Sequence, residues 1–195
     1  LSGSEVIVDA YAGVGTFAIL LAPYAGKIIA IEDSSAAIHD AKINSANFTN
    51  VEFILGKTEE LLCALDEKPY AVILDPSRKG CHIKTLQALH LLKPQKIVYI
   101  SCDPNTLARD LKILCAEGFY LERVQPIDMF PQTHHVESIS ILGLRITLDK
   151  LILASSSPRR HQILKELGIP FSIENPSVDE NIESENIEPD INESN

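Results

Sequence analysis

Positive charge is what this sequence lacks. Its 195 residues carry 17 lysines and arginines against 27 aspartates and glutamates, a formal net charge of −10, whereas nucleic-acid binding normally shows a basic face. The deficit is uneven. Residues 176–195 hold seven acidic side chains and no basic one, which leaves about −3 for the rest. That tail reads as disordered or solvated. A long uncharged run is missing too: the least charged window, residues 10–26, is interrupted by Gly13, Gly15, Pro23 and Gly26, so it makes a poor spanning helix. There is no signal-peptide pattern, and no role for a membrane or for DNA is expected. The four cysteines (Cys63, Cys81, Cys102, Cys115) show no C-x-x-C spacing, which argues against both a zinc site and a disulfide framework. Reduced thiols in a cytoplasmic protein are the expectation. What is present, 45% hydrophobic and 23% charged residues at a mean hydropathy of +0.07, is the composition of a soluble globular chain with room for one full domain and a fragment.

Between residues 5 and 144 short apolar runs alternate with helical patterns, the sign of a parallel sheet covered by helices. Strands are expected at 5–11, 27–32, 51–55, 70–75, 96–101, near 119–127 and at 136–142, with helices at 15–22, 34–47, 58–65, 82–92 and 104–116. In the last helix Asp103 is suited to cap, Pro104 fits the first turn, and Leu107, Leu111 and Leu114 recur on one face. The fold class is therefore α/β, a doubly wound Rossmann-like sheet of seven strands ending in a hairpin. After Leu144 the character changes. RITLDK is a short polar joint, and a fresh strand–loop–helix unit follows, so domains are drawn at 1–145 and 146–195.

VDAYAGVGTFA places Gly13 and Gly15 directly after the first strand, where a tight turn and the close approach of a ligand to backbone both call for residues without a Cβ. Glu32, ending the second strand, is placed to accept hydrogen bonds from a ribose diol, as in NAD and S-adenosylmethionine sites. A left-handed turn beside a surface glutamate is the plainer alternative. Asp9 and Tyr11, standing where an NAD loop more often has glycine, favour S-adenosylmethionine.

Ligands of open α/β sheets bind outside the carboxyl ends of the strands. ILDPSRKG leaves Asp75 and Arg78 at the end of the fourth strand: Asp75 is suited to a cationic amino group or a substrate donor, Arg78 to organising the site or meeting a phosphate. A turn with a helix cap is the alternative. YISCDP leaves Cys102 just before a helix N-terminus, whose dipole favours an anion while Asp103 opposes it. Cys63, Cys81 and Cys115 read as structural. In DMFPQTHHVESISIL, His134, His135 and Glu137 lack the helical spacing of a zinc site, so no metal is expected and Glu137 is read as a general base.

Together and in this order, DAYAGVGTF, LDPSRKG, YISCDPNTLARDL and DMFPQTHHVESISIL resemble the RNA uracil-5-methyltransferase family over about residues 1–144. The resemblance implies a methyl group passed from S-adenosylmethionine to carbon 5 of a uridine in tRNA or ribosomal RNA. It implies Cys102 as the nucleophile that adds to carbon 6, Glu137 as the base that removes the carbon-5 proton, and cofactor contacts at Tyr11, Gly13, Gly15, Glu32 and Asp75; Arg78 matches the arginine of the family's D-P-P-R block. Ser77 replaces the second proline of that block, and Ala12 stands where cysteine is common. The family's RNA-binding parts and an upstream glutamine have no counterpart here, and residues 1–145 hold 13 basic and 17 acidic side chains. RNA affinity is therefore expected to come largely from a portion preceding Leu1, and this chain alone to methylate RNA poorly or not at all.

Residues 151–171, LILASSSPRRHQILKELGIPF, resemble the start of Maf-type nucleotide pyrophosphatases, whose S-x-S-P-R-R loop is matched by Ser155, Ser157, Pro158, Arg159 and Arg160. Paired arginines and hydroxyls suit a triphosphate, but only about the first quarter of that family is matched. A nucleotide-hydrolysing protein and a noncatalytic S-adenosylmethionine-binding module are the competing readings.

Overall fold

The computed structural model describes residues 1–129, 131–132, 136–145, 151–153, 157–166 and 171–173. The acidic tail, the adjacent histidines His134 and His135, and Ser155 lie outside the described residues. The chain divides into two units, Leu1–Arg145 and Ile146–Asn195.

In the first unit the strands are β1 (Val6–Ala10), β2 (Lys27–Glu32), β3 (Val51–Leu55), β4 (Ala71–Leu74), β5 (Lys96–Ser101), β6 (Phe119–Ile127) and β7 (Glu137–Leu144). They form one seven-stranded sheet in the order β3-β2-β1-β4-β5-β7-β6. The first five pair in parallel, and β7 enters antiparallel between β5 and β6. This is the doubly wound sheet with a terminal hairpin that the alternation of apolar runs and helical patterns implies. Order reverses at β1/β4, so the crevice for a ligand opens there.

The helices are α1 (Thr16–Leu21), α2 (Ser35–Asn44), α3 (Thr58–Leu61), α4 (Ile83–Leu92) and α5 (Pro104–Ala116). Two expected helices are shorter than their patterns. The run 34–47 stops at Asn44, and of 58–65 only one α turn forms before a 3-10 turn at Leu62–Ala64. Side chains of a strand alternate between faces, and the two cores follow that parity. Val8, Ile29, Val72, Ile97, Tyr99 and Leu142 pack with Leu86 and Leu89 of α4 and Leu107 and Leu114 of α5. Ile7, Ile28, Ala30 and Ile73 pack on the opposite face with Ala18 of α1.

The second unit has β8 (Leu151–Leu153), α6 (Pro158–Glu166) and β9 (Phe171–Ile173), with β8 and β9 parallel. The carbonyl of Ser157 accepts from the amides of Arg160 and His161, and Pro158 opens the helix, where a missing N–H costs nothing. No helix among the described residues is long and apolar enough to cross a membrane.

Candidate active site

At the carboxyl end of β1 the backbone turns through left-handed conformations. Gly13 has φ +55° and Gly15 +82°, and Tyr11, which is not glycine, has φ +67°. Such a φ in a bulky residue is held by its surroundings. Here the Tyr11 hydroxyl shares a hydrogen bond with Thr85 Oγ1 of α4 at 3.3 Å, and burial pushes its phenol well above the ordinary range. Tyr11 thus braces the loop from behind through α4. A Cβ added at Gly13 would meet nothing within 4 Å, while one at Gly15 would press on the Phe53 ring at 3.0 Å. Gly13 borders open space; Gly15 borders packed side chains.

Two carboxylates hold this loop through its amides. Glu32 accepts from Gly13 N at 2.8 Å and from Ser34 N at 2.9 Å, one bond on each oxygen, and each oxygen retains a lone pair for a further donor. Asp9, fully buried on the α1 face, accepts from Ala18 N at 2.9 Å through Oδ2. Its Oδ1 is buried with no partner among the described residues. Burial, more than the nearby Asp75 and Glu32 charges, pushes the Asp9 carboxyl up to about 7.

Across the switch point, Asp75 follows β4. Its carboxyl is raised by burial first and then by the charge of Glu137, so these two acids from different motifs feel each other. Cys102 is half-buried, directly after β5. Antiparallel pairing of β5 with β7 ends at Ser101↔Ser138, and Cys102 and Glu137 are the residues next to that last pair on the two strands. Asp103 caps α5, its Oδ1 accepting from Asn105 N at 2.8 Å and Thr106 N at 3.1 Å. Those bonds hold its carboxyl below the usual range, with a smaller contribution from the Arg78 guanidinium. Arg78 therefore lies near the end of α5 where Cys102 stands. Its carbonyl accepts from Thr106 Oγ1 at 3.2 Å.

The expected residues fall into two groups at one edge of the sheet: Gly13, Gly15 and Glu32 with Tyr11 behind them, and Cys102, Glu137, Asp75 and Arg78 around β4, β5 and β7. No group of three or more metal-ligating side chains occurs among the described residues. Asp110 has a place in the second group that its sequence context does not make obvious. It is fully buried and accepts from Cys81 N at 2.8 Å, Tyr99 Oη at 2.6 Å and Arg109 Nε at 2.8 Å. The available signal was an acid three residues after Leu107 and four before Leu114, inside the apolar stripe of α5, since buried acids need partners.

Residues 3–145 match the family model of tRNA (uracil-5-)-methyltransferase. The chain belongs to this family. Among its relatives are an uncharacterized RNA methyltransferase of Synechocystis, 50% identical over 145 residues, and one of Oceanobacillus iheyensis, 44% identical over 148. Each alignment covers 73% of this chain, and 31% and 32% of the respective relative. The chain thus spans about a third of the length of the curated relatives it matches. The solved tRNA (uracil-54, C5)-methyltransferase of Pyrococcus abyssi, in complex with S-adenosyl-L-homocysteine, is 35% identical with a TM-score of 0.64, covering 73% of this chain and 35% of that one. An rRNA methylase from Streptococcus thermophilus shares the fold at 16% identity and a TM-score of 0.63, covering 74% and 89% of the two chains. Residues 150–193 match the model of Maf-like protein, so the family motifs quoted from the sequence and those of the second unit lie within separate matched segments.

Proposed function

We propose that residues 1–145 are an S-adenosylmethionine-dependent domain that methylates carbon 5 of a uridine in tRNA or ribosomal RNA, in the cytoplasm, and that residues 146–195 are a Maf-like N-terminal fragment. The observation that supports the first reading is the β5–β7 pairing that ends at Ser101↔Ser138, which leaves Cys102 and Glu137 next to one another's strand ends at the edge that carries the glycine loop. The residues present fit the cofactor. Open space at Gly13 admits a ligand against backbone, the free lone pairs of Glu32 suit a ribose diol, and the orphaned Asp9 Oδ1 and the Asp75 carboxyl suit an amino group.

Bound S-adenosylmethionine supplies an electrophilic methyl group on a sulfonium. Carbon 5 of uracil is a poor nucleophile until Cys102 Sγ adds to carbon 6, which places an electron pair on carbon 5. After that carbon is methylated, Glu137 takes its proton, the carbon 5–carbon 6 double bond reforms and the carbon 6–sulfur bond breaks, returning the thiolate. Arg78 is suited to an RNA phosphate or a uracil carbonyl at this end of the sheet.

The trap for this sequence of steps is RNA carrying 5-fluorouridine, because fluorine cannot leave as a proton. Incubation of the chain, joined to the upstream RNA-binding portion that the family carries, with such tRNA and labelled S-adenosylmethionine is expected to give a labelled protein–RNA band on a denaturing gel, absent from Cys102→Ala and retained in Glu137→Gln. The trap accumulates even when turnover is slow. No band from this extended wild type, or an equal band from its Cys102→Ala variant, overturns the reading. In the second unit, exposed Arg159 follows Ser157 at the start of α6, as in the S-x-S-P-R-R loop; pyrophosphate release from nucleoside triphosphates, lost in Arg159→Ala, would favour the hydrolase reading for that unit.

A further inference from the structure

We infer that Arg109 and Asp110 of α5 are positioning residues that clamp the loop after β4, and with it Arg78, to the helix that begins beside Cys102. The inference rests on the proposed methyl-transfer reading for its effect on the reaction, but the clamp itself stands on geometry. Three of four successive loop residues, Arg78, Lys79 and Cys81, are tied by hydrogen bonds to one helix. The Arg78 carbonyl accepts from Thr106 Oγ1, the Lys79 and Cys81 carbonyls accept from Arg109 Nη2 at 3.0 and 3.5 Å, and Cys81 N donates to Asp110. At Gly80 the approach is closest: φ is +73°, and a Cβ there would lie 2.6 Å from both Arg109 Nη2 and Asp110 Oδ2.

Packing anchors only the end of this loop, where Cys81 is buried in the core, and leaves Ser77, Arg78 and Lys79 exposed. The loop borders, together with Arg109 and Asp110, a cavity of about 520 Å³ walled also by Tyr11, Ile83 and Ile113. Asp110 is moreover a costly choice for stability alone, since a carboxylate loses its hydration when fully buried while its partner Arg109 stays half exposed, and a buried ionic group is explained more readily by the one arrangement it enforces. The arrangement enforced here is the placing of the Arg78 loop against the first turn of α5. Arginine is needed because its fork reaches a carboxylate and two carbonyls at once, which an ammonium cannot copy.

The test uses the full chain and has two arms. In hydrogen exchange followed residue by residue, Arg109→Ala is expected to speed exchange of the Gly80 and Cys81 amides at least tenfold while the amides of β1 and β2 keep their rates, and Arg109→Lys is expected to match Arg109→Ala. Unchanged rates at Gly80 and Cys81, faster exchange throughout the sheet, or full restoration by lysine overturns the clamp. In the 5-fluorouridine trap, Arg109→Ala is expected to form adduct at least tenfold more slowly while its affinity for S-adenosylhomocysteine stays within twofold of the wild type. Adduct formed at the wild-type rate, or affinity lost in parallel, overturns the positioning role. If the extended wild type forms no adduct, the methyl-transfer reading falls, and the exchange arm alone decides the clamp.

Discussion

The two ends of the crevice are held together differently. At β1 and β2 the chain is held by amides donating to carboxylates, Gly13 to Glu32 and Ala18 to Asp9, over a loop of small residues with open space at Gly13. At β4 and β5 it is held by side chains, with Asp110 gathering donors from a loop, a strand and its own helix. A backbone-held loop leaves its surface free for a ligand to approach closely, whereas a side-chain network fixes reactive groups from separate elements relative to one another. The first suits a site that binds, the second a site that must align.

The largest effect should come from breaking the aligned end. Asp110→Ala strands a buried tyrosine hydroxyl and a buried backbone amide, each costing about 1–3 kcal/mol without a partner, while the half-exposed Arg109 keeps water and two carbonyls. Urea denaturation should show that loss as a lower midpoint. A loss below about 1 kcal/mol would place the two buried donors in contact with water instead and dissolve the contrast between the two ends.

The binding end should answer to pH. The Asp9 carboxyl, raised by burial to about 7, binds more protons folded than unfolded between its unfolded pKa of about 4 and that value. Stability therefore falls as pH rises through this window, by an amount on the order of a few kcal/mol. Asp9→Asn keeps an oxygen for Ala18 N and removes the charge. It should gain stability relative to the wild type at pH 8 and show no such gain at pH 4, read as the difference in urea midpoints. An equal difference at both pH values would mean that Asp9 is solvated when ionised.

How much of this was legible in the sequence follows the same division. The glycine loop and Glu32 could be read because turn chemistry is local: Gly13 and Gly15 take the left-handed conformations that their residue type predicts. The strands could be read because parallel strands buried on both faces are nearly continuous apolar runs, as in KIIAIE. Cys102 could be nominated by its place between a strand and a helix N-terminus, but that Glu137 begins a strand paired beside it depends on β7 turning back antiparallel next to β5, a long-range pairing that no local pattern encodes. Asp110 was hidden for a related reason. Its partners Cys81 and Tyr99 come from other elements, and mid-helix its propensity says nothing of them. The helix ends at Asn44 and Leu61 fell short of their patterns because apolar periodicity continues past the point where the backbone stops.

The smallest effects sharpen the comparison most, because they separate folding from binding within one loop. Gly15→Ala places a Cβ at φ +82° against Phe53 and should cost about 2 kcal/mol, the left-handed penalty plus the displaced ring. Gly13→Ala meets no neighbour and should cost only about 1 kcal/mol, the left-handed penalty alone. For ligand affinity the order should reverse. On the proposed reading the new methyl group at residue 13 enters the open space a cofactor would occupy, so S-adenosylhomocysteine affinity by calorimetry should fall at least tenfold in Gly13→Ala and less in Gly15→Ala. If the two variants lose affinity in proportion to their loss of stability, the open side of Gly13 is ordinary surface, and the binding role belongs to the carboxylates alone.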